Sequence, residues 1–250
     1  GVNAVLVEYE DVFPFEPPLF DGTPLRALFT GHPLVDRAAE TRAEPPPALP
    51  WYGRHRIALL PGSRAGEITR ILPRLLAAAV QLERRLGGDC SFVIPAPTAK
   101  MRALGERVFA ASAFKPSRLG FTNGQARHVM LQAHAAAVAS GTATLEACLM
   151  RCPTVLVYTA SAVTALAAKM LVKGVTHIGL ANILAGREVM PELLQEAFTP
   201  EHLADRLYRY LTDDALRLAT LADLDATNAL LGPGDASGRA ADALAQRFFN

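Results

Sequence analysis

The sequence predicts an α/β fold, a parallel sheet flanked by helices. Three observations predict it. Short apolar runs alternate with longer segments of helical periodicity through most of the chain. Hydrophobic residues make up 50% and charged residues 20%, enough to fill a core and too apolar for a disordered chain. The 250 residues suffice for one large domain, or for one domain and part of another.

The elements follow in order. Ala4–Val7 and Leu25–Thr30 are strand-like runs that read as the end of something larger. Residues 43–50 (AEPPPALP) hold four prolines in eight positions, too stiff and donor-poor for a helix or a central strand. They read as an interdomain linker or a surface loop. Arg56–Pro61 (RIALLP) is a buried strand, and Ile68–Leu86 carries apolar residues at helical spacing. Ser91–Pro95 is the next strand, followed by a helix over Thr98–Ala111 and a weak strand at Ser117–Phe121. Ala135–Ala139 (AAAVA) is a short buried strand, and Leu145–Met150 continues a helix that must stop before Pro153. Thr154–Tyr158 (TVLVY) is the last clear strand. Past Pro200 the pattern turns helical, over Glu201–Leu211, Asp214–Leu231 and Ala236–Phe249. The expected organisation is thus residues 1–42 as the remnant of an upstream α/β domain, 43–55 as linker, 56–200 as the main α/β domain and 201–250 as C-terminal helices.

Composition excludes several classes. Lys+Arg 25 against Asp+Glu 24 leaves a net charge of +1, which supplies no overall field for nucleic acid. Cys90, Cys148 and Cys152 form no C-x-x-C pair and stand at no zinc spacing with histidine, so neither a disulfide framework nor a metal site is expected. They suit a reducing compartment. No run reaches the about 18 uninterrupted apolar residues of a membrane span, because Glu146 interrupts 135–150 and Lys169 interrupts 160–172. The six histidines form no cluster by spacing, and Gly232-Pro233-Gly234 follows no strand, so it is no dinucleotide fingerprint.

Three strings can carry chemistry. Leu59-Leu60-Pro61-Gly62-Ser63-Arg64 runs from a strand through a glycine turn into a helix. In open parallel sheets ligands sit outside the strand C-termini, and a helix N-terminus there offers free N–H groups to an anion. Gly62 allows close approach and Arg64 can clamp phosphate oxygens; equally, Ser63 can be a simple helix cap and Arg64 solvated. Ser140-Gly141-Thr142-Ala143-Thr144-Leu145-Glu146 repeats the arrangement after the next strand. Glu146 there either complements the helix dipole or accepts from a ribose diol. Asn182-Ile183-Leu184-Ala185-Gly186-Arg187, with Pro191-Glu192-Leu193-Leu194-Gln195, suits a site rim or a capped surface turn.

Taken together, LLPGSR (59–64), SGTATLEA (140–147) and NILAGRE with PELLQ (182–188, 191–195) closely resemble the lipid-A-disaccharide synthases, inverting glycosyltransferases of GT-B architecture. The resemblance extends from Pro14-Phe15-Glu16 and Gly31-His32-Pro33-Leu34 to about Leu211. It implies a Rossmann-like donor domain and transfer of 2,3-diacylglucosamine from its UDP derivative to 2,3-diacylglucosamine 1-phosphate, without cofactor or metal. It further implies cytoplasmic placement with peripheral contact at the inner membrane, no nucleic acid partner, and leaves a homodimer open. By motif, Gly62, Ser63 and Arg64 should lie at the donor diphosphate, with Arg64 stabilising the leaving group. Ser140, Gly141, Thr142 and Glu146 should line the UDP crevice. Asn182, Arg187 and Glu192 should border the donor sugar or the interdomain cleft.

Two departures stand out: Thr159 replaces the family's arginine after the strand-ending tyrosine, and Ala181 replaces the proline before the asparagine. The family's early glycine-rich segment and aspartate-bearing loop, which build the acceptor side and supply the general base, have no counterpart in the sequence. The chain therefore resembles the C-terminal two-thirds of such an enzyme. The competing reading is a non-catalytic UDP-sugar-binding module. Another GT-B enzyme of UDP-N-acetylglucosamine is disfavoured by NILAGRE with PELLQ.

Overall fold

A computed structural model describes residues 29–139, 141–159 and 177–248. The runs Ala4–Val7 and most of Leu25–Thr30, Ser140, and the apolar stretch around Lys169 lie outside the described residues.

The first helix, α1 (Pro33–Ala43), precedes the main unit. Then follow β1 (His55–Leu60), α2 (Ala65–Arg85), β2 (Cys90–Ala96), α3 (Ala99–Ala111), β3 (Leu119–Asn123), α4 (Ala126–Gln132), β4 (Ala135–Val138), α5 (Gly141–Leu149) and β5 (Thr154–Tyr158). The chain continues through α6 (Leu180–Ala185), β6 (Glu192–Leu194), α7 (Pro200–Thr212), α8 (Asp214–Ala229) and α9 (Ala236–Phe248). Among the described residues all strand pairings are parallel, and six strands lie in the order β3-β2-β1-β4-β5-β6. The chain builds outward from β1 to β3, then crosses back to place β4 on the other side of β1. That reversal is the topological switch point of the sheet.

Alternation along each strand divides the core into two layers. Ile57, Leu59, Phe92, Ile94, Ala135, Ala137, Val155 and Val157 face one side, packed by α2 and α7. Ala58, Leu60, Val93, Ala136, Val138, Leu156 and Tyr158 face the other, packed by α4, α5, α6 and α8. α2 presents Ile68, Ile71, Leu72, Leu75, Leu76, Ala79 and Leu82 as one buried stripe. Burying a side chain of that size contributes about 1.5–3 kcal/mol, so this stripe dominates the first layer.

Strands β1 to β5 fall where the apolar runs place them, β6 forms within the Pro191–Gln195 string read as a rim or surface turn, and the differences have local causes. β3 starts two residues later than the expected Ser117, because the Ser117 N–H donates to the Glu83 carboxylate (2.9 Å) instead of joining the ladder. α4 has seven residues, too short to show a period. α5 begins at Gly141, so the small-residue string forms its first turn. The proline-rich segment carries no regular element, yet it is pinned to the end of α4: Gln132 donates to the Pro47 carbonyl (3.1 Å) and accepts from the Trp51 indole (3.1 Å).

The two ends of the described chain are joined. Asp36 on α1 accepts from the Asp235 and Ala236 amides (2.5 and 3.2 Å), which caps α9, and Arg239 donates to the Thr30 carbonyl (2.9 Å). Cys90, Cys148 and Cys152 are free and buried, and burial pushes each thiol up to about 12. They are packing residues with no thiolate character at neutral pH.

Candidate functional site

The two glycine turns lie on adjacent strands. β1 and β4 pair directly (Leu60 opposite Val138), and the Ala139 N–H donates to the Leu60 carbonyl (2.9 Å), tying the strand ends together. The turn Gly62-Ser63-Arg64 leaves β1 into α2, and Gly141-Thr142 opens α5 after β4. Both helix N-termini therefore flank the switch point. Each contributes partial positive charge and free N–H groups.

In the first turn Gly62 takes φ +108°, a conformation that favours glycine. The reason for glycine is visible in space: a Cβ there would stand 2.3 Å from Glu67 Oε2. Glu67, a residue sequence reasoning passed over, folds back over the turn. Its carboxylate accepts from the Ser63 and Arg64 amides (2.8 and 3.1 Å) and pairs with the Arg64 guanidinium at 3.0 Å. The spacing from Arg64 to Glu67 is that of the acidic arm of a capping box, which was the available signal. The Arg64 side chain is 83% exposed, so it is free to reach a ligand beside its Glu67 contact. The turn serves both readings at once, a capped helix entry and an anion-facing surface.

In the second turn Gly141 is half-buried and Thr142 exposed, and Thr144 donates back to the Gly141 carbonyl (2.5 Å). Ser140 lies outside the described residues. Glu146 is partly buried one turn further along α5, and burial raises its carboxyl above the ordinary range, against the opposing pull of Arg127. Arg127 stands 3.5 Å from Glu146 and donates to Thr41 Oγ1 on α1 (3.0 Å). Nothing in the sequence links positions 41, 127 and 146, because the sheet alone brings them together.

The third string divides. Asn182 is fully buried in α6, where its carbonyl oxygen accepts from the Val189 and Met190 amides (2.9 Å each). Its amide donates to the Met190 carbonyl and to Glu192 (2.7 Å each). Glu192, on β6, also accepts from the Ile178 and Gly179 amides (3.1 and 3.0 Å). The two side chains thus form one saturated network that fixes residues 178–179 over the C-terminal half of β5. Arg187 instead turns toward α8, where it makes a two-pronged pair with Asp223 (3.1 and 2.6 Å). That pairing raises the Arg187 guanidinium and lowers Asp223 from their ordinary values. The structure therefore brings Gly62, Ser63, Arg64, Gly141, Thr142 and Glu146 to the switch point. It uses Asn182 and Glu192 as a buried brace beside it, and Arg187 as a tie to α8.

A surface hollow lined by Pro50, Tyr52, Gly53, Ser117, Arg118, Leu119 and Gly120 lies at the opposite end, where β1 and β3 begin. It gathers no helix N-terminus, and the carboxylates beside it, Glu83 and Asp89, are engaged by the Ser117 and Arg54 amides, so the switch-point turns have the stronger chemistry. Among the described residues no three His, Cys, Asp or Glu side chains cluster to hold a metal ion. No described helix is long and apolar enough to cross a membrane.

Comparison with known proteins gives the arrangement its context. The pattern of the lipid-A-disaccharide synthetase family matches residues 5–233. A lipid-A-disaccharide synthase of Anaeromyxobacter dehalogenans (strain 2CP-C) is 40% identical over 240 residues, 92% of this chain and 60% of the relative. A lipid-A-disaccharide synthase of Burkholderia mallei (strain SAVP1) is 40% identical over 243 residues, again covering 60% of the relative. One from Geobacter metallireducens is 37% identical over 234 residues, 59% of its length. The chain thus spans about 60% of the length of the curated relatives it matches. Among solved structures, a trehalose-6-phosphate synthase (OtsA) superposes with TM-score 0.52 at 14% identity, over 85% of this chain and 48% of that one. The glycosyltransferase of kitacinnamycin superposes with TM-score 0.51 at 19% identity, over 78% and 43%. Such low identity shows the fold alone, that of GT-B glycosyltransferases. With a match over residues 5–233 and the three motif strings in order, the chain belongs to the lipid-A-disaccharide synthetase family.

Proposed function

We propose that residues 56–200 are the donor-binding domain of a lipid-A-disaccharide synthase, holding UDP-2,3-diacylglucosamine at the β1–β4 switch point. The carrying observation is the adjacency of the two turns, one presenting Arg64 and the other leading to Glu146, on paired parallel strands. In this reading Gly62, Ser63 and Arg64 face the diphosphate. The Ser63 and Arg64 amides are engaged by Glu67, so the Arg64 guanidinium and the first-turn amides beyond it meet the phosphate oxygens. As the glycosidic bond to UDP breaks, charge develops on the departing phosphate. Prepositioned donors neutralise it without reorganisation. Ser140, Gly141 and Thr142 line the nucleoside side, and Glu146, aligned by Arg127, accepts from the ribose hydroxyls. Asn182 and Glu192 act through the backbone they brace, at the border of the sugar subsite. Residues 1–42 read as the end of an acceptor domain, which carries the general base that deprotonates the 6-hydroxyl of 2,3-diacylglucosamine 1-phosphate. Contact with the membrane is peripheral and made through that acceptor side.

The test is calorimetry with UDP and with uridine on the parent and Arg64→Ala. A charge-assisted phosphate contact is worth about 1.5–3 kcal/mol, so the variant should bind UDP roughly 10- to 150-fold more weakly and uridine nearly as well as the parent. Equal losses for the two ligands would make Arg64 a structural residue and remove the diphosphate from this turn. A non-catalytic UDP-sugar-binding module shares this prediction. Disaccharide formation on supplying a separately expressed acceptor domain of a relative distinguishes the synthase.

A further inference from the structure

Tyr158 ends β5, next to β4, and its ring belongs to the layer that α5 packs. The residue is 7% exposed, yet its hydroxyl has no hydrogen-bond partner among the described residues. Three buried, partnerless side-chain polar atoms occur among the described residues, on His128, Arg217 and Asn228, and the Tyr158 oxygen is not one of them. Its direction is fixed by Gly141: a Cβ on that glycine would lie 3.7 Å from the Tyr158 oxygen. The hydroxyl thus stands at the first turn of α5. Burial and the negative charges of Glu192 and Glu67 push the phenol up to about 12. The same field reports that both carboxylates lie near it, the one capping the Gly62 turn and the other bracing residues 178–179. At neutral pH the group is therefore a protonated donor at the first turn of α5, with no acceptor among the described residues.

Resting on the donor-binding reading above, we infer that the Tyr158 hydroxyl donates a hydrogen bond to a phosphate oxygen of the nucleoside diphosphate held between the turns. The neighbouring carboxylates leave it no competing role as a phenolate. An anion drawn by the two helix N-termini comes to rest where this donor is the nearest uncharged one. Placement at the α5 turn and at the end of the strand beside the Gly62 turn suits a donor whose partner arrives with the ligand.

The test is Tyr158→Phe in the full chain, which removes one oxygen and keeps the ring. UDP affinity should fall at least ~10-fold, as for a hydrogen bond to a charged acceptor, whereas uridine affinity should stay within ~2-fold. The melting temperature should be unchanged or higher, because no internal hydrogen bond is lost. A variant that binds UDP as the parent does overturns the inference while leaving the donor-binding reading intact. Equal weakening of UDP and uridine, or a lowered melting temperature, also overturns it by assigning the hydroxyl to the nucleoside or to the fold. A parent chain that binds neither ligand overturns the reading and the inference together.

Discussion

Replacing Gly62 by alanine separates what the glycine does for the fold from what it does for the site. At φ +108° an L-residue is strained by about 1–3 kcal/mol. The added Cβ would also meet the Glu67 carboxylate at 2.3 Å and its Cβ at 2.6 Å, so the carboxylate must leave the Ser63 and Arg64 amides. Losing an N-terminal cap of this kind costs about 1 kcal/mol. The sum is roughly 2–4 kcal/mol, and at about 2–4 °C per kcal/mol for a protein of this size the melting temperature should fall by roughly 5–15 °C. Glu67→Ala alone should cost about 1 kcal/mol. The double variant should be no worse than Gly62→Ala, because the cap can be lost only once. The assay is urea unfolding of the four proteins, and the expected coupling is about 1 kcal/mol. Strict additivity would refute the view that Gly62 exists to admit Glu67. A Gly62→Ala protein as stable as the parent would refute the turn geometry itself.

Glu146→Gln should distinguish UDP from 2′-deoxy-UDP less well than the parent, measured by calorimetry. Because burial raises the Glu146 carboxyl in the folded state, its ionisation costs stability as pH rises through the carboxylate range. The variant should therefore melt higher than the parent at pH 7, with the advantage gone near pH 3.5. His134 is pushed down to about 4, by burial first and by Arg56 next, with Arg56 Nη2 at 3.1 Å from its ring. Its neutral form is favoured in the fold, so the parent should lose stability as pH falls from about 6.5 to 4, and His134→Gln should flatten that loss in urea titrations.

The inner strands β1, β2, β4 and β5 were legible because they are buried on both faces, whereas the edge strands β3 and β6 are only partly buried. Runs such as Ile57–Leu60 and Val155–Tyr158 therefore stay apolar without interruption. Their order was not legible, since nothing in the Ala135–Val138 string says that it pairs with β1 instead of β3. Gly62 and Arg64 could be found from strand–glycine–helix punctuation. Glu67 was within reach through its capping-box spacing from Arg64, but Arg127 and Tyr158 were not, because their roles arise from distances that the fold creates, 3.5 Å between Arg127 and Glu146 being one. Asn182 was read as a rim residue from its polar type. Its buried position with both amide ends paired is a property of the α6–β6 turn, and local composition does not distinguish the two. Arg187 shows the same limit, since its partner Asp223 is 36 residues away on a segment read only as helical.

The central claim is that the ligand lies at the β1–β4 switch point. Backbone amide hydrogen exchange with and without saturating UDP tests it most directly. Slowed exchange should appear at Ala65–Glu67 and Gly141–Thr144, the first turns of α2 and α5, and little change should appear at Ser117–Gly120 in the hollow at the other end of the sheet. Protection confined to that hollow, with both helix starts unaffected, would contradict the account.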